Sequence, residues 1–397
     1  MKDARFVGEL RRALTRRALL GGASLALAGC NSNFDLAGMG APPAPTRSAP
    51  AGGPLVGETL GTGPTRVGMI LPLTQNGASS PVGVSMRNAA QLAVDEFAGT
   101  YITLMIQDDR STPDGAAQAA QAELGAGAEL LLGPVYANGV RQAASVAKAA
   151  GKPIIAFSTD VSVTSPGTYL LSFLIQGYVD RIAQFAASRG KKSFAVMAPQ
   201  NEYGNVAVAE FQQVAGNLNA AVVAVARYAP GQPQSAAQEV AAAGGQIDAL
   251  FIPEQAEGVP AAASALAAAG IKTQLLGTGV WNDARVLRLP QMQGAWFSAP
   301  DNAGFNAMAQ RYKVKFGGEP TRLATLSYDA VTLTAALSKN PDRFSQRALT
   351  SVSGFNGADG VFRFRADGTN ERGLAVMEID NNAAVAISPA PRSFAAG

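Results

Sequence analysis

From Thr65 onward the chain alternates short apolar runs, rich in Val, Ile and Leu, with longer segments in which Ala and other apolar residues recur at helical spacing. Runs without a polar alternation read as strands buried on both faces, and the intervening helices cover a parallel sheet. The pattern predicts strands over 66–71, 101–107, 129–132, 153–157, 193–197, 221–226, 247–252, 274–276 and 295–298. It predicts helices over 85–97, 113–124, 139–149, 179–189, 203–218 and 258–269. Thr112-Pro113 offers a capping hydroxyl with a proline preset for the first helical turn, and Gly270 offers a stop. The strand–helix unit recurs in two blocks, 66–173 and 191–298, so the fold class is α/β with two similar lobes.

The first 64 residues break this pattern. Residues 31–64 hold six Pro and seven Gly with no apolar period, the composition of a tether. Ahead of them, Ala18–Ala28 is an apolar run too short to span a bilayer but suited to the core of a signal peptide. Lys2, Arg5, Arg11, Arg12, Arg16 and Arg17, against Asp3 and Glu9, give this leader a net charge of +4 and leave −1 for the rest. The basic pI of about 9.0 therefore belongs to the leader and does not point to nucleic acid.

Leu27-Ala28-Gly29-Cys30 resembles the lipobox of bacterial lipoproteins. That resemblance implies a signal peptide over 1–29, cleavage before Cys30, and acylation of the Cys30 thiol, with 30–64 as lipidated Cys and tether. The lipid would hold the protein at the outer membrane or the outer leaflet of the inner membrane, on the periplasmic side. Thr15-Arg16-Arg17-Ala18-Leu19-Leu20 resembles a twin-arginine export motif, with an ordinary basic leader as the alternative.

A chain of 397 residues, 47% hydrophobic and 15% charged, has the substance for about two domains. Its lack of His excludes Ser-His and Cys-His nucleophile pairs and every His-ligated metal site. A single Cys excludes internal disulfides and Cys-ligated metal clusters. Gly-x-Ser-x-Gly, Walker A and EF-hand patterns are absent, and Gly277-Thr278-Gly279 lacks the third glycine of a dinucleotide fingerprint. The expectation is a protein that is not an enzyme and uses no metal or cofactor.

Several segments, in order and spacing, resemble the periplasmic binding proteins of the leucine/isoleucine/valine-binding family. They are Val67-Gly68-Met69-Ile70-Leu71-Pro72-Leu73-Thr74, the helix through Asn88–Glu96, Asp108-Asp109, Leu132-Gly133-Pro134, Tyr203-Gly204, Ala269-Gly270-Ile271-Lys272 and Ser327-Tyr328-Asp329-Ala330-Val331. Phe355–Phe364 is similar to that family's late β-hairpin, with Asp367-Gly368 as a tight turn. The resemblance implies the type I periplasmic-binding-protein fold: two doubly wound Rossmann-like lobes joined by a hinge of three crossovers, with a small ligand held at the carboxyl ends of strands. Lobe 1 would be 65–173 plus 301–338, and lobe 2 would be 174–300 plus 339–390.

The same resemblance points to ligand contacts in the loops after the strands. Tyr203 stands on the Tyr-Gly motif at a helix start and is the foremost candidate; the alternative is an aromatic that supports the hinge. Ser158, Thr159 and Asp160 follow the fourth strand, as a ligand loop or as a capped turn. Tyr136 and Ala137 follow Leu132, where family members often carry a hydroxyl that Ala137 lacks. Glu254 and Gln255 end a strand of the second lobe, and Trp281 follows a Gly-rich turn. The acids that pair with a ligand's ammonium in amino-acid-binding members fall near Ile175 or Gln176 and near Gly279, and none of these is acidic.

Two functions fit. One is a receptor that captures a small, amino-acid-like solute for an ABC permease. The alternative is a penicillin-binding protein activator, a branch of the family that resembles this chain and contacts a peptidoglycan synthase. The tether, Asn31-Ser32 after Cys30, and the missing ammonium partners favour the second.

Overall fold

The computed structural model describes residues 53–243 and 247–394. The expected signal peptide, Cys30 and the expected tether as far as residue 52 lie outside the described residues. Lobe 1 carries the strands β1 (Glu58–Leu60), β2 (Thr65–Leu71), β5 (Ile102–Asp108), β6 (Leu130–Leu132), β7 (Ile154–Ala156) and β8 (Thr168–Leu170). A small hairpin, β3 (Thr74–Gln75) and β4 (Ala78–Ser79), lies between β2 and the first helix. The six-stranded sheet runs β1-β5-β2-β6-β7-β8, parallel except for β1. Helices α1 (Pro81–Ala93), α2 (Pro113–Gly125) and α3 (Ala137–Ala149) alternate with its strands.

Lobe 2 repeats the plan with β9 (Ser193–Pro199), β10 (Ala221–Tyr228), β11 (Ala249–Phe251), β12 (Gln274–Gly277) and β13 (Trp296–Ala299), in the order β10-β9-β11-β12-β13. Setting aside β1, the second strand of each lobe lies outside the first and the rest follow on the other side. That is the doubly wound order 2-1-3-4-5, which opens a crevice where the winding reverses. Helices α4 (Ile175–Ser188), α5 (Glu202–Asn217), α6 (Gln234–Ala242), α7 (Val259–Ala268) and α8 (Ala284–Leu287) belong to this lobe. The antiparallel pair β17 (Ala375–Asp380) and β18 (Ala383–Ser388) extends its sheet to seven strands.

The local chemistry follows the sequence. Ser80, Thr112 and Asn201 each accept the backbone N–H three residues on, and so cap α1, α2 and α5. Met69, Ile70 and Leu71 on β2 are fully buried because helices cover both faces of the parallel sheet. Among the described residues no helix is long and apolar enough to cross a membrane.

The chain returns to lobe 1 through α9 (Asn302–Phe316), α10 (Ala324–Leu337) and α11 (Gln346–Leu349), then forms a three-stranded sheet of β14 (Phe355–Gly357), β15 (Gly360–Phe364) and β16 (Asn370–Arg372). It therefore passes between lobes three times, at 171–174, at 300–301 and at 373–374. The third passage departs from the sequence division, which gave everything after 338 to lobe 2. Phe344, Leu349, Phe362 and Phe364 sit in the lobe 1 core, with the Phe364 ring 5.5 Å from that of Tyr169. Burial of these apolar side chains holds residues 339–372 against lobe 1.

The expected tether also ends early. Glu58–Leu60 pairs antiparallel with β5, and Gly63 donates its N–H to the Ile102 carbonyl at 3.0 Å. A three-residue edge strand in a Gly-rich setting carries too few apolar positions to show a period.

Candidate functional site

A cavity of about 650 Å³ lies between the lobes beside the first and second crossovers. This is the size range of small-molecule sites. Lobe 2 contributes the loops that leave β9 and β11, the two strands flanking its winding reversal, through Tyr203 and Gln255. Lobe 1 contributes Thr159, from the loop after β7. Of the nine ligand-contact candidates, these three line the cavity.

Tyr203 is held there by local structure. Asn201 caps α5, and in its first turn the Tyr203 hydroxyl reaches the fully buried Thr278 hydroxyl at 2.5 Å. Burial outweighs that hydrogen bond and pushes the phenol up to about 12, so it stays protonated at neutral pH.

The other six lie elsewhere. Trp281 is fully buried in the lobe 2 core, its ring flat against Gly277, where an added Cβ would lie 2.2 Å from the indole. It is a packing residue, and its position after a Gly-rich turn reflects the space the ring needs. Glu254 is buried and accepts the Tyr228 hydroxyl at 2.5 Å and the Gln255 N–H at 2.8 Å, so its carboxylate is occupied inside lobe 2. Ser158 is buried and accepts the Asp160 N–H at 3.1 Å. Asp160 caps a short helical turn at 161–163 and pairs with Arg141 at 3.0 Å. The Ser162 and Arg141 hydrogen bonds hold its carboxyl below the usual range. Tyr136 and Ala137 line a separate depression of about 190 Å³ with Asp109 and Thr112.

The cavity also takes residues that were not anticipated. Phe173 sits on the first crossover, and Asn302, Phe305 and Asn306 begin α9 just past the second. Arg322 lies just before α10, and Tyr178 and Asn282 complete the lobe 2 wall. Asn282 donates through Nδ2 to Asn302 Oδ1 at 3.2 Å, a hydrogen bond from one lobe to the start of the other. Crossovers bring their residues to a hinge by topology, which was the available signal for Phe173, Asn302, Phe305 and Asn306.

The charges at the cavity are compensated. Arg322 pairs with Asp359, whose side chain is fully buried, and lies 4.4 Å above the Phe305 ring. Asp283, which also lines the cavity, accepts the backbone N–H and Nε of Arg285 on Oδ1 and Nη2 on Oδ2, at 2.8–2.9 Å. Those bonds hold its carboxyl below the ordinary range. Among the described residues no group of three or more Cys, Asp or Glu is placed to hold a metal ion.

The family model described as periplasmic binding protein matches residues 64–384. Among solved structures, a candidate branched-chain amino acid ABC transporter from Rhodospirillum rubrum superposes with a TM-score of 0.74 at 20% identity, covering 81% of this chain and 99% of that one. An ABC transporter substrate-binding protein from Desulfitobacterium hafniense in complex with Leu gives 0.62 at 18% identity, covering 81% and 99%. A solute-binding protein of an ABC transporter from R. palustris in complex with benzoate gives 0.58 at 20% identity, covering 83% and 97%. At these identities the likeness is one of fold. No curated protein matches the chain.

Proposed function

The chain belongs to the periplasmic binding protein family, and from that premise we propose that it is a lipid-anchored periplasmic receptor that delivers a small solute to an ABC permease. The observation that carries this reading is the cavity of about 650 Å³ walled by both lobes at the crossovers. A solute touching Tyr203 and Gln255 on one side and Thr159 and Arg322 on the other gains contacts from both lobes only when they approach. Its binding energy therefore favours the closed arrangement. A permease that reads the relative position of the lobes then distinguishes loaded from empty receptor. Acylation of Cys30 keeps the receptor near the membrane and raises its effective concentration at the permease. The protein does this without catalysis: two chemically balanced walls hold the solute and release it unchanged.

Native mass spectrometry of the protein purified from its own periplasm tests the reading. A released solute of a few hundred daltons supports it; a protein that carries no solute and co-purifies with a peptidoglycan synthase replaces it with the activator function. Cys30→Ala is expected to move the protein from the membrane fraction to the soluble one, and a variant that remains membrane-bound refutes the lipid anchor.

A further inference from the structure

Resting on the receptor reading, we infer that the solute is a monocarboxylate with an apolar or aromatic body and no ammonium group, its carboxylate received by Arg322 and Tyr178.

Arg322 has five N–H donors, and two are engaged: Nη2 with Asp359, and Nη1 with Asn302 Oδ1 at 3.4 Å. The remaining donors belong to a side chain that is about one-third exposed and lines the cavity. Asp359 and the rings of Phe305 and Phe173, at 4.4 and 5.7 Å, fix the position of the guanidinium. A planar fork held in one place is the group that best matches a carboxylate.

Tyr178 supplies the second donor. Its side chain is more than nine-tenths buried and lines the cavity, and among the described residues its hydroxyl has no hydrogen-bond partner. The hydroxyl oxygen itself is not sealed from solvent, so its O–H is available to donate to a bound group without breaking an internal hydrogen bond. Burial pushes this phenol well above its ordinary range while the Arg322 charge pulls it the other way, so the hydroxyl is a donor within reach of the same field as the guanidinium.

The cavity has nothing comparable for a cation. Among the described residues Asp283 is the one carboxylate lining it, and both its oxygens accept from Arg285, whose charge offsets its own. Glu254 is turned to Tyr228 behind the wall. Gly279 offers no side chain, and the space such a side chain would need is filled: an added Cβ would lie 2.6 Å from Tyr178 Cε1 and 2.9 Å from its hydroxyl. The phenol that can donate to a carboxylate thus stands where an acid from Gly279 would have to project. An ammonium desolvated here without an anion would cost several kcal/mol. Phe173, Ile175, Val280, Phe305 and Leu323 then accommodate the apolar body.

The test measures thermal unfolding of the full-length protein with matched probes. These are 4-methylpentanoate and 3-phenylpropanoate, the corresponding amino acids leucine and phenylalanine, and the corresponding amides. The acids are expected to raise Tm and the amino acids and amides, at the same concentration, to leave it unchanged. Arg322→Lys, which keeps a positive charge beside Asp359, and Tyr178→Phe are each expected to weaken acid binding roughly tenfold or more. Stabilisation by leucine or phenylalanine as strong as that by the acids overturns the ligand class and leaves the receptor reading intact. Amides that bind as well as acids, or acid binding indifferent to both substitutions, overturn the roles of Arg322 and Tyr178. A protein that no probe stabilises, and that carries no solute from its own periplasm, overturns the ligand class and the receptor reading together.

Discussion

The Tyr203 and Thr278 hydroxyls, 75 residues apart in sequence, meet at 2.5 Å and tie the helix after β9 to the loop after β12. Tyr203 faces the cavity while Thr278 is fully buried, so one hydrogen bond fixes the orientation of a ligand-facing ring from inside the lobe. Tyr203→Phe leaves the Thr278 hydroxyl without that partner and is expected to cost about 1–2 kcal/mol in urea unfolding. Solute affinity is expected to fall as well, because the ring is freed to turn. Unchanged stability would show that Thr278 finds another partner.

Trp281 separates packing from binding. With the indole fully buried against Gly277, Trp281→Ala is expected to destabilise the protein by about 3–5 kcal/mol. Gly277→Ala, which drives a Cβ into the ring, is expected to be destabilising as well. Guanidinium unfolding checks both, and a Trp281→Ala protein of normal stability that had lost its solute would place the indole in the site instead.

Glu254 gives the same separation for charge. Its oxygens accept from Tyr228 and from the Gln255 backbone, so Glu254→Gln, which converts one acceptor into a donor, is expected to cost about 1–3 kcal/mol. Calorimetric titration should find solute affinity essentially unchanged. A tenfold loss of affinity at unchanged stability would return Glu254 to the list of contacts.

Asp329 makes stability depend on pH. It is buried in α10, where Oδ1 accepts the Ala358 N–H at 2.6 Å and Oδ2 has no partner. Burial raises its pKa from 3.8 to about 7, against the pull of nearby Arg372. Because the folded pKa is the higher one, the folded state binds more protons between about pH 4 and pH 7, and the contribution of Asp329 to stability falls as pH rises through that window. Asp109, raised to about 6 by burial, adds a slope of the same sign. Asp329→Asn keeps the acceptor and removes the titration, so between pH 4 and 7 its stability is expected to gain on the parent protein by up to about 1.4 kcal/mol per pH unit. Parallel pH profiles for the two proteins would show that Asp329 ionises freely in the fold.

The fold was legible because a buried parallel strand is written locally: Val67–Leu71 and Phe194–Met197 are apolar runs whether or not their partners are known. The cavity was legible only where topology decides it. Tyr203 and Gln255 follow strands at the winding reversal, and loops after such strands meet the crevice. Trp281 and Glu254 looked similar by that criterion but were claimed by Gly277 and by Tyr228, 26 residues away from Glu254. Arg322 was missed for the complementary reason: it is fixed by Asp359, 37 residues on, and by Phe173, more than a hundred residues before it. Side-chain pairings over such separations leave no trace in local spacing.

The short strand β1 determines how the molecule bears a load. Glu58–Leu60 lies antiparallel against β5, Gly53 donates to the Gly125 carbonyl at 3.2 Å, and Arg66 donates to the Gly53 carbonyl at 2.7 Å. A pull arriving from the N-terminal side therefore runs into the edge of the lobe 1 sheet and is resisted in shear by a row of backbone hydrogen bonds. Among the described residues lobe 2 has no such strand at its edge; the chain joins it to lobe 1 at the three crossovers, beside side-chain contacts such as Asn282 to Asn302. With Cys30 anchored, lobe 1 would be the fixed jaw and lobe 2 the moving one, so the signal a membrane partner reads would be the displacement of lobe 2 alone.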